Sequence, residues 1–363
     1  MTIEQQAQVA LGKIVDTDFG QDIVTLDYVQ NLRVDGGRFR CNLMIPTPIF
    51  PAKEALRQAA VKAALGLTGV QSAEVTLISE ISGPAQPNPG VLSQVKNIIA
   101  IGSGKGGVGK STVTANLAVG LAKYGARVGL VDGDVYGPTL PIMLGTREAD
   151  LMQSDRGITP IEAHGVKLMS MGFLSKGSAP LIWRGPMAHK AIQDSLLRVD
   201  WGELDYLLVD MPPGTGDVHL TLVQTVPVTG AVMVSTPQDV GLTISMKTFR
   251  LFEQTKVPVL GMIENMSYHL CTHCGERENI FGHGAVRPEA EKVGIPFLGE
   301  IPLFQKIREQ SDIGIPIVLS DGPIADIYTA ILGRLTAQAA LQNRVRMPVI
   351  EDAPDEKSEA FEV

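Results

Sequence analysis

The run Gly102-Ser-Gly-Lys-Gly-Gly-Val-Gly-Lys-Ser-Thr112 decides the fold. From Gly104 to Ser111 it carries the spacing G-x-x-x-x-G-K-[ST], the signature of a loop that wraps phosphate. Gly104, Gly106, Gly107 and Gly109 allow successive backbone N–H groups to close around phosphate oxygens without Cβ clashes, with Val108 set among them. Lys110 supplies a point charge for the β and γ phosphates of ATP, the Ser111 hydroxyl is a ligand for Mg²⁺, and Thr112 follows in the first helical turn. A second lysine, Lys105, stands near the start of the loop. Upstream, Asn97-Ile-Ile-Ala-Ile101 is a short apolar run suited to a buried strand. Downstream, Val113 to Tyr124 is compatible with helix. Strand, glycine loop and helix together place an anion at a helix N-terminus.

Outward from this loop, apolar runs and helical stretches alternate. Strands are expected at Arg127–Val131, Val166–Met171, Tyr206–Asp210, Ala231–Ser235, Val259–Ile263 and Phe297–Ile301, and helices at Ala188–Leu197, Leu242–Gln254 and Pro288–Val293. Several strands are continuously apolar, as strands buried on both faces are. The expected class is α/β, a doubly wound and mostly parallel sheet with its ligand at the carboxyl ends of the strands. Those ends carry carboxylates. Leu130-Val-Asp132-Gly-Asp134 closes one strand, and Leu207-Leu-Val-Asp210 closes another ahead of Met-Pro-Pro-Gly-Thr-Gly-Asp217. An apolar strand finishing in Asp suits Mg²⁺ held through water, which is the role expected of Asp210. Asp132 or Asp134 can orient the attacking water, with Asp134 the expected catalytic residue beside Lys110. Strand-end aspartates also cap helices, and that reading stays open. Gly214 and Gly216 suit a loop that senses the γ-phosphate.

Ser82-Gly-Pro-Ala-Gln-Pro-Asn-Pro-Gly90, with three prolines and two glycines, is a semi-extended linker. Before it, a helix is expected from Gln5 to Val15, a hairpin from Ile23–Arg33 and Arg38–Ile45 around Asp35-Gly36-Gly37, a helix over Ala52–Leu65 and a strand over Ala73–Ile78. The expected organisation is a small α+β domain at 1–81, the linker at 82–95, the phosphate-binding domain at 96–342 and an acidic, disordered tail at 343–363.

The 363 residues are 44% hydrophobic and 5% aromatic, with a net charge of −8. An acidic chain is unsuited to coating nucleic acid or an anionic membrane. No apolar run reaches the ~18 residues of a spanning helix. Met1-Thr-Ile-Glu-Gln-Gln is not laid out as a signal peptide, and three cysteines do not suggest a disulfide framework, so a cytoplasmic location is expected.

Gly104-Lys105-Gly-Gly-Val-Gly-Lys110-Ser-Thr112 resembles the deviant Walker A loop of the MinD/ParA/nitrogenase-iron-protein class. Asp132-Gly-Asp-Val-Tyr-Gly-Pro-Thr-Leu-Pro141, Trp183-Arg-Gly-Pro-Met187, Asp210 to Asp217 and Glu264-Asn-Met-Ser267 before Cys271-Thr-His-Cys274 narrow the likeness to Mrp/ApbC-type iron–sulfur cluster carriers over roughly residues 95 to 342. The front unit resembles the MIP18-type domain often fused to them. The resemblance implies a slow ATPase acting as a homodimer, in which Lys105 reaches the partner's phosphates and Asn265 contacts the adenine. It also implies partners among cluster scaffold proteins and apo iron–sulfur proteins. In the front unit Phe50 stands in Thr47-Pro48-Ile49-Phe50-Pro51, where that family often has a cysteine.

Cys271 and Cys274 alone are too few for a closed zinc site or a four-iron cluster, which need four ligands. His269, His273 and His283 are candidates to complete a zinc site within one chain. A redox pair and a metal-free loop are further readings. In the remaining one, two copies contribute two thiolates each to a 4Fe-4S cluster on a two-fold axis. Two other function classes stay in view: a MinD/ParA-like positioning ATPase, and a regulatory ATPase or scaffold with a structural zinc site.

Overall fold

The computed structural model describes residues 1–345 apart from 18, 84–91, 136, 174–184, 215–216 and 272. Most of the expected linker, Trp183 and Arg184 of the Trp183–Met187 string, Gly216 and the tail beyond 345 lie outside the described residues.

The front unit contains α1 (Ile3–Leu11), β1 (Val29–Asp35), β2 (Arg38–Ile45), α2 (Lys53–Leu65) and β3 (Ser72–Ser79). Its sheet has the order β1-β2-β3, antiparallel then parallel. Along β2 the period of two sends Phe39, Cys41, Leu43 and Ile45 into the core. Burial pushes the Cys41 thiol up to about 11. The first hairpin arm is shorter than its composition suggests. Asp27 has φ 55°, which breaks the pleat, and the Asp22 carboxylate accepts the N–H groups of Val24 and Thr25 in a local turn.

The main unit follows. Its elements are β4 (Val95–Ser103), α3 (Lys110–Lys123), β5 (Val128–Asp132), β6 (Val166–Ser170), α4 (Gly185–Leu197), β7 (Leu204–Asp210), α5 (Asp217–Thr225), β8 (Gly230–Ser235), α6 (Asp239–Gln254), β9 (Val259–Leu270), α7 (Val286–Lys292), β10 (Phe297–Leu303), α8 (Gln305–Asp312) and α9 (Pro323–Val345). The sheet runs β6-β5-β7-β4-β8-β9, with β10 also paired to β9 and all of these pairs parallel. Short antiparallel strands, Ile161–Ala163 and Arg277–Glu278, extend it at β6 and β9. Alternation splits each central strand between two cores. Ile99 and Ile101 of β4 and Leu208 of β7 face α3 and α9, whereas Ile98, Ala100, Leu207 and Val209 face α4 to α7. The carboxyl ends of β4, β5 and β7 therefore meet on one edge.

The 23-residue helix α9 is absent from the sequence expectation. Its stripe Ile324, Tyr328, Ile331, Leu332, Leu335 and Ala339 fills the main core at helical spacing. The same helix carries the front unit. Ala337 lies in the front core, and Ile49 of the front unit lies in the main core. A Cβ on Gly333 would stand 2.6 Å from Pro51 Cγ and 2.9 Å from the Ile49 carbonyl oxygen. Arg344 donates to the Leu26 carbonyl at 2.7 Å and lies over the Tyr28 ring. Asn343, 2% exposed, donates to Ser82 O and Asn97 Oδ1. These contacts carry the helix past residue 342, where the tail was expected to begin. Phe50 is buried between the rings of Phe19 and Tyr28 as a core residue.

Candidate functional site

β4 ends at Ser103, the glycine loop follows, and α3 begins at Lys110. Gly107 and Gly109 have φ of 80° and 79°, a region that favours glycine. Gly109 is the N-cap of α3, and a Cβ there would run into Asn265 Nδ2. The loop thus leads into the first turn of a 14-residue helix, whose N–H groups have no partner within the helix itself, an arrangement suited to phosphate.

Asp210, fully buried at the end of β7, organises the side chains below that loop. Lys110 Nζ lies 2.7 Å from Asp210 Oδ1. Ser111 Oγ donates to Asp210 Oδ2 at 2.6 Å, and Thr114 Oγ1 donates to Oδ1 at 2.7 Å. Thr114 escaped the sequence reading. Its place four residues after Lys110, on the same face of α3, was the available signal.

Asp132 sits beside Asp210 across the β5–β7 register. It is 1% exposed, and burial, reinforced by the Asp210 carboxylate, pushes its carboxyl up to about 7. Its Oδ2 accepts from Leu140 N and Ser170 Oγ at 3.2 and 3.1 Å, while Oδ1 has no hydrogen-bond partner among the described residues. Asp134, half-buried, lines a cavity of about 210 Å³ together with Lys105, Lys110, Ser111 and Pro213. Lys105 Nζ donates to Gln238 Oε1 at 2.7 Å within the same chain.

Next to this cavity lies a second, about 330 Å³, that shares Gly109, Thr112 and Met143 with it and is lined by Asn265, Met266, Leu303, Phe304 and Ile307. Asn265 was expected just after a strand ending at Ile263. It lies instead inside β9, which continues to Leu270 through a positive φ of 54° at Met266. Pairing with β10 and with Arg277–Glu278 sustains the longer strand. Asn265 Nδ2 donates to the Val108 carbonyl at 2.8 Å, so the amide is tied to the glycine loop as well as to the cavity.

The same strand leads to the thiols. Leu270 pairs with Arg277, and Cys271 N donates to Glu276 O at 2.9 Å, so Cys271 and Cys274 occupy the tip of a hairpin. Gly275 N closes the turn onto the Cys271 carbonyl at φ 73°. Hydrogen bonds from the backbone N–H groups of Cys274 and His273, with the Cys274 side chain, lower the Cys271 thiol below its ordinary value. Cys274 is exposed. Among the described residues no three His, Cys, Asp or Glu side chains gather so as to hold a metal. The His269 ring is engaged with Leu303 O and the His283 ring with Glu300. Cys41 lies in the separate front core.

A family described as ParA, the NUBPL iron-transfer P-loop NTPases, matches residues 94–336, and a family of iron–sulfur cluster assembly proteins matches residues 4–77. An iron–sulfur cluster carrier protein of Deinococcus radiodurans is 42% identical over 342 residues, 93% of this chain and 96% of that one. One from Escherichia coli is 41% identical over 329 residues, 89% of each chain. A solved nucleotide-binding protein from Archaeoglobus fulgidus, in complex with ADP, shares 44% identity at a TM-score of 0.56, covering 61% of this chain and 88% of that one. With the glycine loop, the strand-end aspartates and the paired thiols together on one α/β sheet, the chain belongs to the NUBPL-type iron-transfer P-loop NTPases of the ParA family.

Proposed function

We propose that this protein is an ATP-hydrolysing carrier that holds a 4Fe-4S cluster between two copies of the chain and passes it to apo-proteins. The observation that carries the reading is the thiol hairpin. Two thiols stand at an exposed tip with no third ligand gathered beside them among the described residues, on a strand whose Asn265 holds the glycine loop. Two such hairpins supply the four thiolates that a four-iron cluster needs. The relatives named as iron–sulfur cluster carrier proteins support the same reading.

At the nucleotide site, the phosphates of ATP lie against the N-terminus of α3. Lys110 exchanges its 2.7 Å contact with Asp210 for the β and γ phosphates. Ser111 Oγ and Asp210 Oδ2 are hard oxygen donors already converging at 2.6 Å, and they would hold Mg²⁺. When bound, Mg²⁺ neutralises charge on the phosphate oxygens. Asp134 orients the attacking water from the cavity wall. Lys105 leaves Gln238 and reaches the partner's phosphates, which ties hydrolysis to dimerisation and makes turnover slow. The second cavity receives the base, with Asn265 at its edge. The cluster leaves by thiolate exchange, the recipient's thiolates replacing Cys271 and Cys274, and the protein does this work in the cytoplasm.

Anaerobic reconstitution with iron and sulfide, read as iron and zinc per chain alongside oligomer mass, tests the proposal. The expected product is a dimer with about one four-iron cluster per two chains. A monomer holding one zinc and no iron would replace the carrier reading with that of a zinc-stapled ATPase.

A further inference from the structure

The return arm of the thiol hairpin bears a contact that nothing in the nucleotide or thiol chemistry requires. Arg277 lies across the ladder from Leu270, next to Cys271, and its guanidinium sits 3.7 Å over the Tyr268 ring. The same guanidinium reaches Glu300 on β10 at 3.5 Å. Glu300 also takes His283 at 2.8 Å and Ser267 Oγ at 3.3 Å. The glutamate stands opposite Glu264 in the β9–β10 register, and like charges facing each other across a ladder are unfavourable. Glu264 is relieved by Gly284 N, Val286 N and Ser267 Oγ. The relief of Glu300 comes from Arg277 and His283. This costly carboxylate is therefore placed where it can hold the return arm.

We propose that Arg277 is a positioning residue for the cluster. Stacked on Tyr268 and anchored by Glu300, it pins the thiol hairpin to the edge of the parallel sheet and so fixes the spacing of Cys271 and Cys274. The proposal rests on the carrier reading and extends it to how firmly the cluster is held. An exposed ion pair alone contributes little. Stacking of a planar guanidinium on an aromatic face adds to it and restricts the arm in direction as well as distance. A loosened arm lets the two thiolates drift apart, so the cluster opens more readily to chelators and acceptors.

The experiment uses the full-length reconstituted dimer and follows cluster loss to a ferrous chelator by visible absorbance, with electron paramagnetic resonance of the reduced cluster as a second signal. Arg277→Ala is expected to speed cluster loss about tenfold and broaden the resonance, leaving ATPase activity unchanged and lowering the unfolding temperature of the metal-free protein by a few degrees at most. Tyr268→Leu and Glu300→Gln should each reproduce the defect, and Arg277→Ala with Glu300→Gln should add little to either alone. Tyr268→Phe keeps the ring face and should behave as wild type. Release at the wild-type rate from Arg277→Ala, or additive losses in the double variant, would overturn the clamp while leaving the carrier reading intact. A wild-type chain that assembles no cluster overturns the carrier reading and the clamp with it.

Discussion

The glycine loop and the thiol hairpin lie on two strands of one sheet, β4 and β9 with β8 between them, and are built in opposite ways. Below the loop, Lys110, Ser111 and Thr114 all converge on a fully buried Asp210, and every polar group in that set is bonded within the chain. At the hairpin, Cys271 and Cys274 stand near solvent, and among the described residues the backbone bonds of Cys271 stay inside their own turn. The side chains around the glycine loop are joined within one chain, whereas on the carrier reading the thiol hairpin is half of a shared site. Burial and internal bonding below the loop contribute to the stability of the single chain, whereas the thiols near solvent add little to it. A damaged loop should cost both folding and function. A damaged hairpin should cost function alone.

The largest expected effect tests the hairpin side. On the carrier reading, Cys271→Ser or Cys274→Ser removes two of four ligands from a dimer, and cluster content should fall from about one per two chains to background. Thermal unfolding of the metal-free protein should not move. Stable iron binding by either variant would mean that the two copies do not share the site.

Next in size is hydrolysis. Asp134→Asn should lower the ATPase rate about 10²–10³-fold while nucleotide binding, read by calorimetry, is retained, because the substitution removes a positioning or acid–base group and not a phosphate ligand. If Asp132→Asn produces that pattern and Asp134→Asn does not, the water is oriented from the buried end of the strand.

Lys110→Ala probes the loop in both currencies of the comparison. Its affinity for ATP should fall about a hundredfold, the scale of a lost charge-assisted contact. Asp210 is then left buried without its cation, which costs about 3 kcal/mol in the nucleotide-free protein. An unchanged denaturant midpoint would break the contrast between the two sites.

A pH slope completes the set. The Asp132 carboxyl is raised from 3.8 to about 7 by burial, with Asp210 adding to it. A carboxyl raised in the folded state holds its proton more tightly when folded. Its contribution is complete below the unfolded value near 4 and is lost as pH rises through about 7. Between those values the nucleotide-free wild type should lose stability relative to Asp132→Asn. The difference between the two melting curves isolates this group from every other. Parallel curves across the window would show that the Asp132 proton takes no part.

Much of this was legible in the chain because it depends on local order. Gly104 to Thr112 specify a loop whatever surrounds them, since the needed φ values and N–H directions belong to the glycines. The apolar strands ending in Asp132 and Asp210 declared themselves because burial on both faces demands continuous apolar side chains. The length of β9 was not legible. Asn265 to Leu270 are polar and mixed, and they become strand only because β10 and Arg277–Glu278 pair with them. α9 escaped for a related reason. Its small residues Gly333 and Ala337 weaken the helical pattern, and their size makes sense only once Pro51 and the front core are seen against them.

By itself, then, the sequence determined the phosphate loop, the parallel sheet beneath it and the pair of thiols, because glycine freedom, strand burial and ligand chemistry act over a few neighbouring residues. Only the tertiary structure decided that Asp210 gathers Lys110, Ser111 and Thr114, that Asn265 joins the thiol strand to the loop, and that the front unit is seated on α9 through Ile49, Ala337 and Arg344. Those contacts join residues far apart in the chain, and no local propensity specifies which distant partner a buried side chain will meet.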